Sequence, residues 1–220
     1  LYRQKYADTH LDLVIPFSGT ALEFAAEHGG EIFPQTPVVF TGVFDEEINR
    51  LDLPVNYTGI LADIDFAGQL EMVLKIQPQT RRVAIVNGAS SIELSLEKKF
   101  RKVFEGYADR LDFIFLTRLP LGEAAEKVRN LPEHTVVLTY LFMLDGAGIG
   151  HLPAKVATHL ANVSNAPVYG TFDSFLGNGV LGGRLLSFEM LGVKAGEIGS
   201  RILQGAKPAD FPISGHGTHL

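Results

Sequence analysis

Ala166–Phe188, APVYGTFDSFLGNGVLGGRLLSF, reads as one strand, a polar and aromatic loop, and a second strand rich in glycine. Ala166 to Gly170 is a short apolar run behind Asn165, and Pro167 suits the start of a buried strand better than its middle. Thr171, Phe172 and Asp173 follow its carboxyl end. In an open α/β sheet ligands bind there, because loops leaving the strand tips meet in a crevice and present side chains and N–H groups to it. The stretch therefore predicts an α/β fold with a ligand cleft at this tip. Gly177–Gly182 also matches G-x-G-x-x-G, but the dinucleotide fingerprint must follow a strand and open a helix. Val180 to Phe188 reads as a strand, so the glycines are read as a tight chain crossing.

Working outward, apolar runs alternate with helical patterns along the whole chain. Leu11–Phe17 (LDLVIPF), Pro37–Thr41 and Asn56–Ile60 read as strands, with a helix from Ala21 to His28 opened by a Thr20/Glu23 capping box and ended by Gly29-Gly30. A second helix begins behind Asp65 and buries Phe66, Leu70, Val73 and Leu74. Arg82–Asn87 is continuously apolar and β-branched, as in a strand covered on both faces, and Ser90 with Glu93 repeats the capping-box spacing before the next helix. Leu111–Thr117 and Thr135–Tyr140 continue the strands, Leu121–Asn130 and the run after Pro153 the helices. A last helix spans about Leu191 to Gln204, and an extended tail leaves it at Lys207. Such alternation implies mostly parallel sheet with helices on both faces and right-handed crossovers, and the number of strands favours two sheets.

Composition narrows the function classes. The chain of 220 residues is 46% hydrophobic, ample for buried cores, and its formal net charge of −6 argues against nucleic acid as a partner. No apolar run approaches the ~20 residues that span a bilayer. The absence of cysteine excludes disulfides, thiolate catalysis and cysteine metal sites. No cofactor is implied.

Candidate ligand residues cluster at predicted strand ends. Ser18, Gly19 and Thr20, and likewise Asn87 and Ser90, stand where a strand gives way to a helix, and free N–H groups with a hydroxyl suit a ligand carboxylate. Helix capping alone is the alternative reading of the same hydroxyls. Asp65 reads as a cap or as one of a pair of acids with Asp63; Asp173, beside Phe172, as the carboxylate for a ligand amine or as a solvated turn residue. Phe44, Tyr140, Phe142 and Phe172 lie at or just beyond strand ends, placed to clamp an apolar or aromatic solute. No catalytic residue is assigned, since no acid–base pair or nucleophile stands at an interpretable spacing. His216 and His219 read as a terminal tail rather than a metal site.

Lys5–Phe24, Thr36–Glu46, Tyr57–Ser90 and Ala166–Ile213 together resemble the ABC-type substrate-binding proteins of the type I periplasmic-binding-protein fold, in motif order and over nearly the whole chain. The phrases DLVIPFSGTALEF and IFPQTPVVFTGVFDEEIN look closer to the branch that forms extracytoplasmic input domains of sensor histidine kinases. The resemblance implies two doubly wound parallel-sheet lobes. Residues 1–60 plus 189–206 would form lobe 1 and 61–188 lobe 2, with hinge crossings near 58–63 and 182–190 and a tail over 207–220. The family's first strand and most of its first helix have no counterpart, so a homodimer that completes the missing strand is one expectation. The implied function is a non-enzymatic receptor domain, periplasmic or on the outer face of a bacterial membrane. It would close on a small organic ligand of the amino-acid or aromatic-acid class and signal to a membrane-anchored kinase. The alternatives are a solute-binding component serving an ABC transporter permease and, from another class, an α/β racemase or isomerase.

Overall fold

The computed structural model describes residues 2–6 and 9–215, so His216 and His219 lie outside the described residues. It falls into two compact units, and the chain passes between them at Asp63–Ile64 and at Leu186–Ser187.

The first unit holds α1 (Tyr2–Tyr6), α2 (Gly19–Ile32), β1 (Val38–Val43), α3 (Asp45–Ile48), β2 (Tyr57–Leu61) and α8 (Phe188–Leu203). β1 and β2 pair in parallel from Val38↔Tyr57 to Thr41↔Ile60, and Gly42, at φ 67°, shifts the register beyond them. One layer packs Leu22 and Ala25 of α2 with Val38, Phe40 and Tyr57. The other packs Val39 with Ala195 and Ile202 of α8 and with Phe211. Strand alternation explains the division, because Val38 and Phe40 point one way and Val39 the other.

The second unit holds α4 (Phe66–Ile76), β3 (Arg82–Asn87), α5 (Ser91–Glu105), β4 (Asp112–Thr117), α6 (Leu121–Arg129), β5 (Thr135–Thr139), α7 (Pro153–Val163) and β6 (Val168–Tyr169). Its strands run in the order β4-β3-β5-β6, every pair parallel. Ala84, Val86 and Val137 face Ala125, Val128, Val156 and Leu160 on the α6/α7 side. The intervening residues face α4 and α5, where Phe100 stacks on Phe104, Phe115 and Tyr140. An all-parallel sheet covered on both faces is the expected home of continuously apolar strands such as β3. The α/β fold with parallel sheets is thus as the sequence implies.

Several local expectations are corrected. Leu11–Phe17 pairs with β1 only at Val14↔Val38 and Phe17↔Thr41. Val14 and Ser18 donate to Pro37 O and Thr41 O, but Pro16 has no N–H to give between them, and the ladder breaks there. α2 starts at Gly19 behind Ser18, whose φ of 85° turns its side chain away from any cap, so the Thr20/Glu23 box does not form. Nor do Gly29-Gly30 end that helix. Gly29 is there for close approach, since a Cβ would stand 2.6 Å from the Phe33 ring and from the Tyr57 hydroxyl. Val180–Phe188 is no strand. It meets β6 irregularly, through Leu181 N–H to Val168 O, Gly170 N–H to Gly182 O and one bridge, Phe172↔Leu186. Gly183 lies so close to Gly170 O, 2.0 Å from where a Cβ would be, that a regular ladder cannot form. Finally, residues 207–215 are no free tail: Phe211 is buried, its carbonyl accepts from Thr58 Oγ1, and Ser214 bridges Ile60.

Gly59 tests the first sheet. A Cβ there would fall 2.3 Å from Phe40 O and 2.5 Å from its ring, and backbone cannot yield cheaply. Gly59→Ala is expected to cost about 1–3 kcal/mol, read as a lower urea midpoint.

Candidate functional site

At the carboxyl ends of β3 and β5 the second unit gathers polar groups that have no partner among the described residues. Asn87 is the last residue of β3 and has no exposed surface. Its Nδ2 donates to Glu93 O at 2.8 Å, which leaves Oδ1 without a partner. Tyr140 lies beside it: Tyr140 N–H donates to Val86 O, which sets it opposite Asn87, and the register slips only at the next bond, where Gly88 N–H donates to Leu141 O. Residues matched across parallel strands share a face, and both side chains therefore project toward α4 and α5. Tyr140 is fully buried, its ring edge-on to Phe66 at 5.1 Å and stacked on Phe100 at 5.2 Å, and its hydroxyl has no partner. Burial pushes the phenol far up, so it is neutral at every ordinary pH. Ser90 occupies the N-cap position of α5 without a side-chain cap hydrogen bond, and its buried Oγ is likewise unpartnered.

Glu93 fixes this rim. It is 0% exposed, yet Oε2 accepts from Ser90 N–H at 2.6 Å and Oε1 accepts from Met143 N–H, joining the β3–α5 turn to the loop after β5. Gly88 leaves the space, since a Cβ would lie 2.5 Å from the carboxylate. The S-x-x-E spacing located this residue as a helix cap, but nothing in the sequence signals its reach to Met143.

Asp65 caps α4, accepting Gly68 N–H at 2.8 Å, and pairs with Arg184 Nε at 2.6 Å. Gln69, 1% exposed, donates to Gly170 O at 2.8 Å and accepts Arg184 N–H at 2.5 Å, which ties the outgoing chain to β6. Neither Gln69 nor Arg184 was legible as a site residue, because each acts across about a hundred positions of sequence. Asp173, half-buried, opens a 3-10 turn (Asp173–Phe175) after β6, and its N–H donates to Leu186 O. Phe172 is buried edge-on to Phe175 at 5.4 Å. Phe142 is corrected: it belongs to the α6/α7 core with Val156 and Leu160, on the other face from Tyr140.

Ser18, Gly19, Thr20 and Phe44 stand together in the first unit. Ser18 and Thr20 line a largely apolar groove of about 710 Å³ with Leu13, Pro16, Phe24 and Phe33. The expected seat for a ligand carboxylate at the start of α2 already holds one. Glu47 lies over Gly19, with Oε1 2.0 Å from where a Cβ would be, and its Oε2 accepts Phe44 N–H at 2.9 Å. Burial raises its carboxyl above the usual range, against the Phe44 hydrogen bond and Arg50, which lower it. A ligand carboxylate over Gly19 would have to displace that side chain.

Two features of the second unit are structural. A cavity of about 510 Å³ at the opposite end of the sheet is lined by Gln77, Thr80, His134 and Asn165, but Gln77 bonds the Tyr169 hydroxyl and Asn165 bonds Leu131 twice. Asp145 clasps the loop after β5, accepting N–H groups from Ala147, Ile149 and Leu121 and lying 3.0 Å from His151 Nε2. The His151 hydrogen bond first, then that of Ile149, hold its carboxyl down at about 2.

Two predictions follow from these contacts. Glu93→Ala strands two buried N–H groups and is expected to cost about 3 kcal/mol by denaturant titration, with Glu93→Gln intermediate. For Asp145 the folded pKa lies below the unfolded ~3.9, so its contribution is complete above that value and is lost as pH falls toward about 2. Between pH 4 and 2 the wild-type melting temperature should therefore fall more steeply than that of Asp145→Asn.

Comparison with known proteins gives the chain a family. A family model described as ABC transporter substrate binding protein matches residues 2–218. A tyrosine-binding protein of Clostridioides difficile is 19% identical over 216 residues, 96% of this chain, and the chain spans 60% of that relative's length. Among solved structures, an ABC domain in complex with L-Trp from Streptococcus pneumonia matches with TM-score 0.64 at 18% identity, over 99% of this chain and 74% of that one. A LacI family transcriptional regulator from Bifidobacterium animalis matches with TM-score 0.59 at 15% identity, over 97% and 77%. At such identities the structures share the fold.

Proposed function

The chain belongs to the ABC transporter substrate binding protein family, and from that premise we propose that it binds a small organic solute outside the cytoplasm for delivery to a membrane transporter. The observation that carries the reading is the rim of the second unit. There Asn87 Oδ1, Ser90 Oγ and Tyr140 Oη are buried at parallel strand tips with no partner among the described residues. Buried polar atoms are nearly always paired, and a set left open where open α/β sheets bind ligands is what a binding site provides. The two named ligands among the relatives, tyrosine and L-Trp, support an aromatic amino acid as the solute. Asp173, just past β6, is the carboxylate we assign to its ammonium group. No helix among the described residues is long and apolar enough to cross a membrane, so a transporter would be a separate partner of this region.

The match to ABC transporter substrate binding proteins favours delivery over signalling to a histidine kinase, the latter resting on two short phrases of sequence. The family is one of binding proteins, and the assigned groups are suited to holding a solute rather than to turning it over.

Titration calorimetry with L-tryptophan and L-tyrosine tests the proposal. Saturable binding of at least one is expected, and at 100 times the dissociation constant it should add ~2.7 kcal/mol of stability. Asp173→Asn should weaken that binding about tenfold or more, as loss of one charge-assisted hydrogen bond does. If a folded sample binds neither amino acid at millimolar concentration, the aromatic amino-acid assignment is wrong.

A further inference from the structure

The same rim carries a finer statement about the solute, one that rests on the binding reading above. Every strand-tip helix start next to a candidate ligand residue already holds a carboxylate of the chain itself. Glu47 lies over the first turn of α2, Asp65 accepts Gly68 N–H in α4, and Glu93 accepts Ser90 N–H at α5. A ligand anion at any of these helix starts would therefore compete with a carboxylate of the chain itself. Glu93 itself needs no cation, because two N–H groups and the positive end of α5 meet its charge.

The atoms of this rim left unpartnered among the described residues belong to neutral groups. Asn87 Oδ1 can only accept, its amide nitrogen being fixed on Glu93 O. The hydroxyls of Ser90 and Tyr140 can each donate or accept, and Tyr140 keeps its proton because burial raises its pKa. Around them the wall is aromatic: Phe66 and Phe100 flank the Tyr140 ring. A group that donates once and accepts twice, on an aromatic stem, completes this set. We propose that Asn87, Ser90 and Tyr140 form a hydroxyl-selecting subsite that takes the phenolic end of an aromatic solute and discriminates it from the analogue without the hydroxyl. The discrimination has a physical source: an analogue lacking the hydroxyl leaves the same buried groups unpaired in the complex, whereas a merely apolar pocket would separate the two weakly.

Tyr140→Phe removes one oxygen and leaves the ring in place. In the free protein the hydroxyl has no partner to lose, so the variant should melt no lower than wild type. A melting temperature lowered by several degrees would mean that a buried water already holds the hydroxyl, and the proposal falls. By calorimetry, wild type should bind L-tyrosine at least tenfold more tightly than L-phenylalanine, and Tyr140→Phe and Ser90→Ala should each cut that ratio below threefold. Equal affinities for the two amino acids overturn the subsite. The pair 4-hydroxyphenylacetate and phenylacetate separates this inference from the amino-acid assignment. If only the hydroxylated acid binds while neither amino acid does, the subsite stands and that assignment falls; if no member of either pair binds, both fall.

Discussion

Glu93 is shut off from water, and its two oxygens take N–H groups from opposite sides of one rim, Ser90 at the start of α5 and Met143 beyond β5. A buried carboxylate is costly unless it is fully hydrogen-bonded, and here charge-assisted bonds and the α5 N-terminus supply the compensation. The arrangement then dictates its neighbours. Residue 88 must be glycine, because the carboxylate occupies the place of its Cβ. Asn87 must spend its amide on Glu93 O, which leaves its carbonyl oxygen facing the α4/α5 layer. Tyr140 is brought level with Asn87 by backbone bonds across β3 and β5. The unpaired polar atoms that we read as a binding site are thus the remainder left by one satisfied carboxylate.

Carboxylates at helix starts recur through the chain in chemically distinct ways. Asp65 also takes the Arg184 guanidinium, and with Gln69 it ties both ends of the second unit's chain near the points where the chain leaves it. Glu47 lies half-buried, and desolvation raises its pKa. Elsewhere Glu97 shows the opposite balance. Burial opposes its ionisation, but hydrogen bonds from Arg101, Arg118 and Thr117 outweigh it and hold the carboxyl below the usual range. Partner count, rather than depth alone, decides which acids stay charged.

The alternation of strand and helix was legible because β3, β4 and β5 are continuous apolar runs and their helices carry clear stripes, a consequence of covering both faces of a parallel sheet. Irregular edges were not legible. Pro16 interrupts a ladder that hydropathy alone cannot see, and Gly183 stops another by its closeness to Gly170 O. Asn87, Ser90 and Tyr140 were readable as strand-tip residues from local pattern. Their shared lack of partners was not, since it depends on where Glu93 and the backbone spend their bonds. Phe142 shows the limit most directly. Two residues past Tyr140 it would share that face in a strand, but β5 ends at Thr139 and the turning chain delivers Phe142 to the α6/α7 core. Glu47 and Arg184 gave no signal because their contacts, with Gly19 and Asp65, join segments remote in sequence.

The most direct test of the central claim is a map of backbone amide shifts by NMR as an aromatic solute is added. The account predicts that the largest changes fall on residues 87–91 and 140–143, around the Glu93 carboxylate. Changes confined instead to Thr80, His134 and Asn165, at the opposite end of the same sheet, would contradict it.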